Sequence, residues 1–190
     1  MRGRWFVFGF LAGALTSFVV YYSALRTARV QAKSIRTEEP VVAKNASDGI
    51  SPPIAGLKRS DLRDSFNEFH FGHRHEALDI MEPRGTPVLA VTDGTIAKLL
   101  ASKAGGNTIY EFDNPQTYCY YYAHLDRYAD NLKEGARISR GQVIGYVGST
   151  GDASPNAPHL HFGMTLAGPE HKWSGGTPVD PYPVLLQVIR

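Results

Sequence analysis

Cysteine and sustained helical periodicity are both scarce in this sequence, and each shortage narrows the class of protein. Cys119 is the single cysteine among 190 residues, so the chain cannot form an internal disulfide. It lies in a strand-like aromatic run, which favours a small buried side chain over a catalytic thiol. After residue 70 no long segment has a helical hydrophobic period, and no repeat of solenoid length is present. These absences argue against helical bundles and solenoids.

The main part of the chain also lacks a concentrated basic surface. The net charge is +2, but nine of the 20 Lys and Arg residues, and only three of the 18 Asp and Glu residues, lie within residues 1–60. The rest of the chain therefore carries 11 basic against 15 acidic side chains. A mildly acidic domain argues against nucleic acid as a partner.

The N-terminal segment contains the longest uncharged stretch. Residues 5–25 have no charged side chain, and as a helix they would span about 32 Å, close to the thickness of a bilayer core. Arg2 and Arg4 precede this stretch, and aromatic residues lie at both of its ends. A cleaved signal peptide is the alternative, but Tyr22 stands two residues before Ala24, so no small-x-small cleavage site follows. An uncleaved transmembrane helix is predicted.

The segment after the predicted anchor has the composition of a linker. Residues 33–59 are polar, contain three prolines and have no sustained apolar period, which indicates a flexible tether. The predicted organisation is a cytoplasmic N-terminus (residues 1–4), a transmembrane signal-anchor (residues 5–25), a flexible linker (residues 26–59) and a globular domain (residues 60–190).

The globular domain carries mostly β-strand signals. Runs of β-branched and aromatic residues alternate with turn dipeptides such as Asp93-Gly94 and Arg140-Gly141. Strands are predicted at residues 86–92, 95–100, 107–112, 117–125, 142–147 and 159–166. Short strands at close spacing predict an all-β fold, either a compact antiparallel β-sandwich or a partly open barrel.

The last predicted strand carries two histidines on one face. Alternation along residues 159–166 places four apolar side chains on the core face: Leu160, Phe162, Met164 and Leu166. His159 and His161 then fall on the opposite face, where packing gives no reason for two imidazoles. An ordinary pair of surface histidines is the alternative interpretation.

Two further segments hold groups of the same chemical kind. His75 and Asp79 are four residues apart, which places them on one face of a strand or of a helical turn, and both side chains suit Zn²⁺. In the aromatic run, strict alternation would place Tyr120, Tyr122 and His124 on one face, and Tyr121, Ala123 and Leu125 on the other.

Together these segments fit a hydrolytic zinc site better than each does alone. Such a site uses three protein ligands and keeps one position open for water. His75, Asp79 and one of His159 or His161 supply the three ligands. The other member of that pair and His124 remain as histidines that can move a proton or stabilise an oxyanion.

These motifs resemble those of the lysostaphin-type zinc peptidases, the M23 or LytM-type family. They are His75-Glu-Ala-Leu-Asp79, Tyr122-Ala-His-Leu125 and His159-Leu-His161, and the resemblance extends over residues 60–186. It implies a compact β domain with a groove over the metal, Zn²⁺ held by His75, Asp79 and His161, and catalytic histidines at His124 and His159. Ala77 departs from the family's usual glycine but is also small.

The resemblance also implies a function and a location. The expected protein is a membrane-anchored zinc metalloendopeptidase that hydrolyses peptide bonds of bacterial peptidoglycan. It would be a single-pass protein of the cytoplasmic (inner) membrane, held there by its N-terminal helix, with the catalytic domain facing the periplasm or the cell exterior. The competing hypothesis is a non-catalytic domain that binds wall peptide and activates a partner hydrolase. A regulatory partner is not identified by the sequence.

A few residues are left with open interpretations. Asn107 and Tyr122 are candidates for lining the groove, and Asn107 is equally suited to a turn. His75-Glu76 resembles the start of a His-Glu-x-x-His helix motif, but Asp79 in the last position and the β context fit that motif poorly. Among the other histidines, His70 and His171 are expected at the surface, whereas His73 could replace a lost ligand.

Overall fold

The computed structural model describes residues 49–70 and 72–189. The predicted cytoplasmic N-terminus, the predicted transmembrane span and most of the predicted linker lie outside these residues. Among the residues described, no helix is both long enough and apolar enough to cross a membrane.

Short β-strands dominate the part of the chain that the structure describes. The strands are β1 (Phe69–His70), β2 (His73–Arg74), β3 (Ala77–Met81), β4 (Pro87–Leu89), β5 (Gly94–Ser102), β6 (Gly106–Asp113), β7 (Tyr118–Leu125), β8 (Arg127–Tyr128), β9 (Arg137–Ile138), β10 (Val143–Tyr146), β11 (His159–Leu166) and β12 (Thr177–Val179). A 3-10 helix spans Arg59–Asp61, and the α-helix α1 spans Pro181–Val188.

The strands form antiparallel sheets that remain open. The large sheet has the strand order β12-β11-β7-β6-β5-β9, and β3 joins it by pairing with β11. A smaller sheet has the order β4-β10-β8, and β1 pairs with β2 as a separate hairpin. All of these pairings are antiparallel, which confirms the predicted antiparallel β architecture.

One hydrophobic core lies between the two main sheets. Val88 and Ile144 of the small sheet belong to the same buried cluster as Ile109, Tyr122 and Phe162 of the large sheet, and all five are fully buried. Burying a side chain of this size contributes about 1.5–3 kcal/mol relative to leaving it exposed. The core therefore fixes which face of β7 and β11 is turned away from the groove described below.

The all-β prediction is incomplete, because the domain ends in a helix. The Asp180 carboxylate accepts a hydrogen bond from the Tyr182 backbone N–H at 2.9 Å, and Pro181 occupies the first helical position. Val184 and Leu185 of α1 are fully buried in the core. Eight residues are too few for a clear helical period, so only the Asp-Pro start signal marked this helix in the sequence.

The packed part of the chain begins earlier than residue 60, the predicted start of the globular domain. Ile50, Ile54 and Leu57 are buried in the main core. The Leu89 N–H donates to the Pro53 carbonyl at 2.8 Å, which ties this segment to β4. Prolines break any regular period here, so single apolar side chains enter the core without forming a recognisable strand or helix.

A buried carboxyl group lies on the core side of β6. Glu111 is fully buried, accepting hydrogen bonds from the Thr92 N–H at 3.1 Å and from the Tyr122 hydroxyl at 2.5 Å. The same hydroxyl accepts the Val91 N–H at 3.1 Å. Burial raises the pKa of Glu111 to about 8 in spite of these hydrogen bonds. The side chain is therefore mostly protonated in the folded protein at neutral pH.

The substitution Glu111→Gln should remove a pH dependence of stability. The pKa of Glu111 is raised from 4.5 to about 8, so the folded chain binds this proton more tightly than the unfolded chain does. The stability that depends on this proton is lost as pH rises from 4.5 to about 8. Across that interval the free energy of unfolding of the wild type should fall relative to that of the variant.

Urea denaturation at a series of pH values measures this difference. Glu170→Gln, at an exposed carboxylate, is the matched control and should follow the wild type. Parallel pH profiles for the wild type and Glu111→Gln would contradict the prediction.

Candidate active site

The centre of β11 lies between β3, which carries the candidate ligand Asp79, and β7, which carries the candidate catalytic residue His124. His161 pairs with Asp79 of β3 on one side and with Ala123 of β7 on the other. Leu160 and Phe162 are fully buried, so the predicted alternation is confirmed and the histidines face outward. Leu166, which was expected in the core, is 38% exposed at the end of the strand.

Three donor atoms converge on this outward face. His75 Nε2, Asp79 Oδ1 and His161 Nδ1 lie 3.1 Å from one another in every pair. Donors bound to one zinc ion at about 2.0–2.1 Å in a tetrahedron lie about 3.3 Å apart. The observed spacing is close to that value, so these three side chains can hold one metal ion.

Hydrogen bonding sets how each of the three donors can meet a cation. The Ser65 carbonyl lies 3.2 Å from His75 Nδ1, so Nδ1 donates to it and the ring, when neutral, keeps its lone pair on Nε2. Burial lowers the pKa of His75, but the hydrogen bond to Asp79 and the charge of that carboxylate outweigh it and raise the pKa above its usual value, so metal binding releases the Nε2 proton. Burial raises the pKa of Asp79, but hydrogen bonds from His161 and His75 outweigh it and hold that pKa far below its usual range. Burial lowers the pKa of His161, which favours the neutral ring. The site therefore presents one carboxylate and a neutral imidazole.

A β-bulge in β7 controls where His124 points. Asn107 of β6 lies opposite Leu125, and Ile109 lies opposite Tyr122, so three steps along β7 match two along β6. His124 has a φ angle of 59°, in the left-handed region that non-glycine residues rarely adopt. An extra residue with left-handed backbone is a β-bulge, a device that re-aims a side chain.

The bulge overturns the face predicted for His124. Tyr120 and Tyr122 are buried in the core, as alternation requires. His124, however, lines the groove together with Tyr121 and Ala123 instead of following the two tyrosines. The left-handed φ angle is the physical reason, because it shifts the alternation by one residue. Leu125, which alternation would place beside Ala123, is accordingly fully buried in the core.

His124 and His159 lie beside the three donors. Their ring centroids are 4.9 Å apart, and His159 Nε2 is 3.7 Å from Asp79 Oδ1. Backbone carbonyls of Thr150 and Ala157 lie 2.8 and 2.9 Å from the Nδ1 atoms of His124 and His159, so both Nδ1 atoms donate. Each ring in its neutral form therefore keeps its lone pair on Nε2. Burial lowers the pKa of His124, which favours that form.

The match to a known family agrees with this geometry. The sequence profile of peptidase family M23 matches residues 73–181, which is more than half of the chain. The chain belongs to peptidase family M23. Zn²⁺ is the metal indicated by this family membership together with the cluster of two histidines and one aspartate.

Two curated relatives of this M23 chain each match part of its length. The glycyl-glycine endopeptidase ALE-1 of Staphylococcus capitis is 37% identical over 115 residues, covering 60% of this chain and 30% of that protein. The L-Ala–D-Glu endopeptidase of Bacillus subtilis is 38% identical over 122 residues, covering 60% of this chain and 36% of that protein. The chain thus spans about a third of the length of these curated relatives.

The match to one solved structure with the same fold covers most of that structure's chain. The catalytic domain of lysostaphin from Staphylococcus simulans is 33% identical to the M23 chain, with a TM-score of 0.53. The match covers 73% of this chain and 89% of the lysostaphin domain. The fold described above is therefore that of an M23 catalytic domain.

The backbone around His75 differs from the expected regular strand or helical turn. His75 lies between β2 and β3, and Glu76 beside it has a φ angle of 54°. The His75 and Glu76 N–H groups donate to the carbonyls of Glu68 and Phe66 at 2.8 and 2.9 Å. His75 therefore approaches Asp79 through a left-handed turn, and not through a shared strand face.

Neither Asn107 nor Tyr122 lines the groove of the M23 domain. Tyr122 is fully buried, with its hydroxyl directed to Glu111. The Asn107 side-chain amide donates to the carbonyls of Leu125 and Asp126, each at 3.2 Å, and thereby supports the chain directly after the bulge. Asn107 is a structural residue close to the turn position considered for it.

The groove over the donors also includes residues that the sequence motifs did not indicate. Its cavity has a volume of about 360 Å³ and is lined by Tyr121, Asp152 and Ser154 in addition to the histidines. His73 lines the same cavity but is not part of the close donor cluster. Asp152 and Ser154 lie on the loop between β10 and β11, where sequence spacing carries no signal, and Tyr121 lies on the outward face of β7.

The substitutions His124→Gly and His124→Ala should differ in stability. Both remove the imidazole, but glycine adopts a positive φ angle without a Cβ penalty. The glycine variant should therefore be the more stable by about 1 kcal/mol. Urea denaturation measures the difference in free energy of unfolding.

The neighbouring Ala123→Gly provides the matched control for this comparison. Ala123 has no positive φ angle, so replacing it by glycine should destabilise the protein by about 0.5–1 kcal/mol. A glycine variant at position 124 that is less stable than the alanine variant would contradict a strained bulge.

Proposed function

We propose that this M23 chain is a zinc metalloendopeptidase that hydrolyses peptide bonds of bacterial peptidoglycan. The observation that carries the proposal is the cluster of three donor atoms, 3.1 Å apart, with two further imidazoles beside it in one groove. A metal with a purely structural function is typically closed by a fourth protein ligand. The donor cluster found among the described residues has three members, as in a hydrolytic site.

The proposed ligands are His75, Asp79 and His161. Zn²⁺ bound there would act as a Lewis acid on the scissile carbonyl and lower the pKa of a water molecule toward about 7. Asp79 supplies a negative charge, and hydrogen bonding fixes the His75 tautomer, so the chain holds its donors ready for a cation.

The proposed catalytic residues are His124 and His159. Their Nδ1 atoms are engaged by backbone carbonyls, so their Nε2 atoms can exchange protons with a substrate or a water in the groove. A neutral ring accepts the proton of the attacking water. A protonated ring stabilises the oxyanion or gives a proton to the leaving amine.

The proposed substrate is the peptide part of peptidoglycan, either a stem peptide or a cross-link. Relatives of this chain include peptidases named for peptidoglycan, such as the DD-endopeptidase ShyC of Vibrio cholerae, which is 36% identical over 94 residues. The names of ALE-1 and of the Bacillus subtilis enzyme specify other peptide bonds. This range of bonds supports the substrate class and leaves the bond itself to experiment.

The proposed location follows from residues 5–25. Their uncharged, apolar sequence is long enough for a transmembrane anchor, with residues 26–48 as the start of a tether to the domain. The protein would then be a single-pass protein of the cytoplasmic membrane, with its catalytic domain outside the cytoplasm. Anchoring at that surface would keep the enzyme next to the cell wall.

Zinc content should separate the proposed ligands from the proposed catalytic residues. His161→Ala removes one of three donors and should lose most of the zinc. His159→Ala should keep most of it, because His159 Nε2 is 3.7 Å from Asp79 Oδ1 and lies outside the donor triangle. Elemental analysis of the purified variants measures the ratio of metal to protein. His171→Ala, at an exposed histidine, is the control and should match the wild type.

Removal of His124 or His159 should abolish most of the activity while zinc remains bound. Loss of a positioned acid or base typically lowers the rate by about 10²–10⁴-fold. Zymography with purified sacculi, followed by mass spectrometry of the released muropeptides, measures the rate and identifies the severed bond. Equal clearing by wild type and His124→Ala, or no clearing by zinc-loaded wild type, would favour the non-catalytic activator instead.

A further inference from the structure

A second groove continues from the proposed active site along the outer face of β11. Its cavity has a volume of about 330 Å³. His75, Tyr121 and His161 line both this cavity and the first one, so the two adjoin at the donor cluster. A peptide bound across the cluster would therefore extend one of its flanking side chains into this second groove.

One wall of the second groove is aromatic. The Tyr110 ring centroid lies 4.7 Å from that of Tyr121 and 4.7 Å from that of Trp173. We call these three residues the aromatic shelf. The loop that carries Trp173 is anchored to β7, because the Cys119 thiol donates to the Trp173 carbonyl at 3.7 Å. The shelf is thus held in place by the sheet.

The same groove includes an exposed carboxylate. Glu76 lines it, is solvent-exposed and makes no ion pair within the described part of the chain. Glu76 directly follows the proposed ligand His75 in the chain and has a left-handed backbone. No lysine or arginine occurs among the described residues that line this groove or the first one. Charge and aromatic surface in the second groove both favour a cation.

We propose that the second groove is a subsite for a primary ammonium group on a substrate residue that flanks the scissile bond. The proposal rests on the peptidase function proposed above and adds a preference within it. The faces of aromatic rings attract an ammonium ion, and the Glu76 carboxylate attracts it by charge. An apolar side chain would gain nothing from that carboxylate, and a neutral sugar would gain hydrogen bonds to it but no charge attraction.

Tryptophan fluorescence can measure binding independently of catalysis. The sequence contains two tryptophans, so the full chain with Trp5→Phe keeps Trp173 as its only reporter. The zinc-loaded protein in detergent is titrated with N-acetylated, C-amidated Ala-Lys-Ala, and with the same peptide carrying norleucine in place of lysine. The lysine peptide should bind about fivefold more tightly, the ratio expected for an ammonium over aromatic rings.

Two variants test which groups create the preference. Glu76→Gln and Tyr110→Leu, each in the Trp5→Phe background, should bring the two peptides to nearly equal affinity. Glu82→Gln removes the same charge outside the groove and should keep the preference. Equal binding of both peptides by the parent protein would overturn the ammonium subsite. So would a change in Trp173 emission with chitotriose but not with the lysine peptide.

The two proposals fail in different ways. Digestion of sacculi combined with equal peptide affinities would overturn the ammonium subsite and leave the peptidase function standing. Tighter binding of the lysine peptide without any digestion of sacculi would overturn the peptidase function alone.

Discussion

The register of β11 against β3 and β7 is the constraint on which the candidate site depends. It sets Asp79 of β3 directly beside His161. On the other side of β11 it holds β7, the strand that carries the proposed catalytic residue His124. A slip of one residue would turn both histidines of β11 into the core and bring Leu160 and Phe162 to the surface. Those two side chains are fully buried, so the hydrophobic core that stabilises the fold also enforces the position of the donors.

Two non-glycine residues next to the site have left-handed backbone. Glu76 follows a proposed ligand, and His124 is a proposed catalytic residue. Each such residue is disfavoured by about 1–2 kcal/mol, which the surrounding hydrogen bonds must offset. Thr150 supplies part of that support, because its hydroxyl accepts from the Asn107 N–H at 2.9 Å and donates to the Leu125 carbonyl at 2.8 Å. The strain lies where side chains must leave the regular strand pattern.

The domain holds a half-buried and a fully buried carboxyl group in opposite protonation states. Asp79 receives hydrogen bonds from two imidazoles, and its pKa is held low, so it contributes a negative charge to the groove. Glu111 faces the core, where burial outweighs its hydrogen bonds and keeps it mostly neutral at neutral pH. Asp79 thus serves as a charged candidate ligand in the groove, whereas Glu111 serves as an uncharged hydrogen-bonding group in the core.

The sequence by itself determined the antiparallel β class, the faces of β11 and the set of residues that converge, because each depends on local spacing or on a motif. It did not reveal the short helix α1, the packing of Ile50 and Ile54, or the direction of His124. Glycine or asparagine often marks a left-handed position in a sequence, but this bulge has histidine there, so the sequence did not indicate it. The tertiary structure decided those features and also brought Glu76 and Trp173 to one groove. Contacts between residues nearly a hundred positions apart leave no periodicity in the chain.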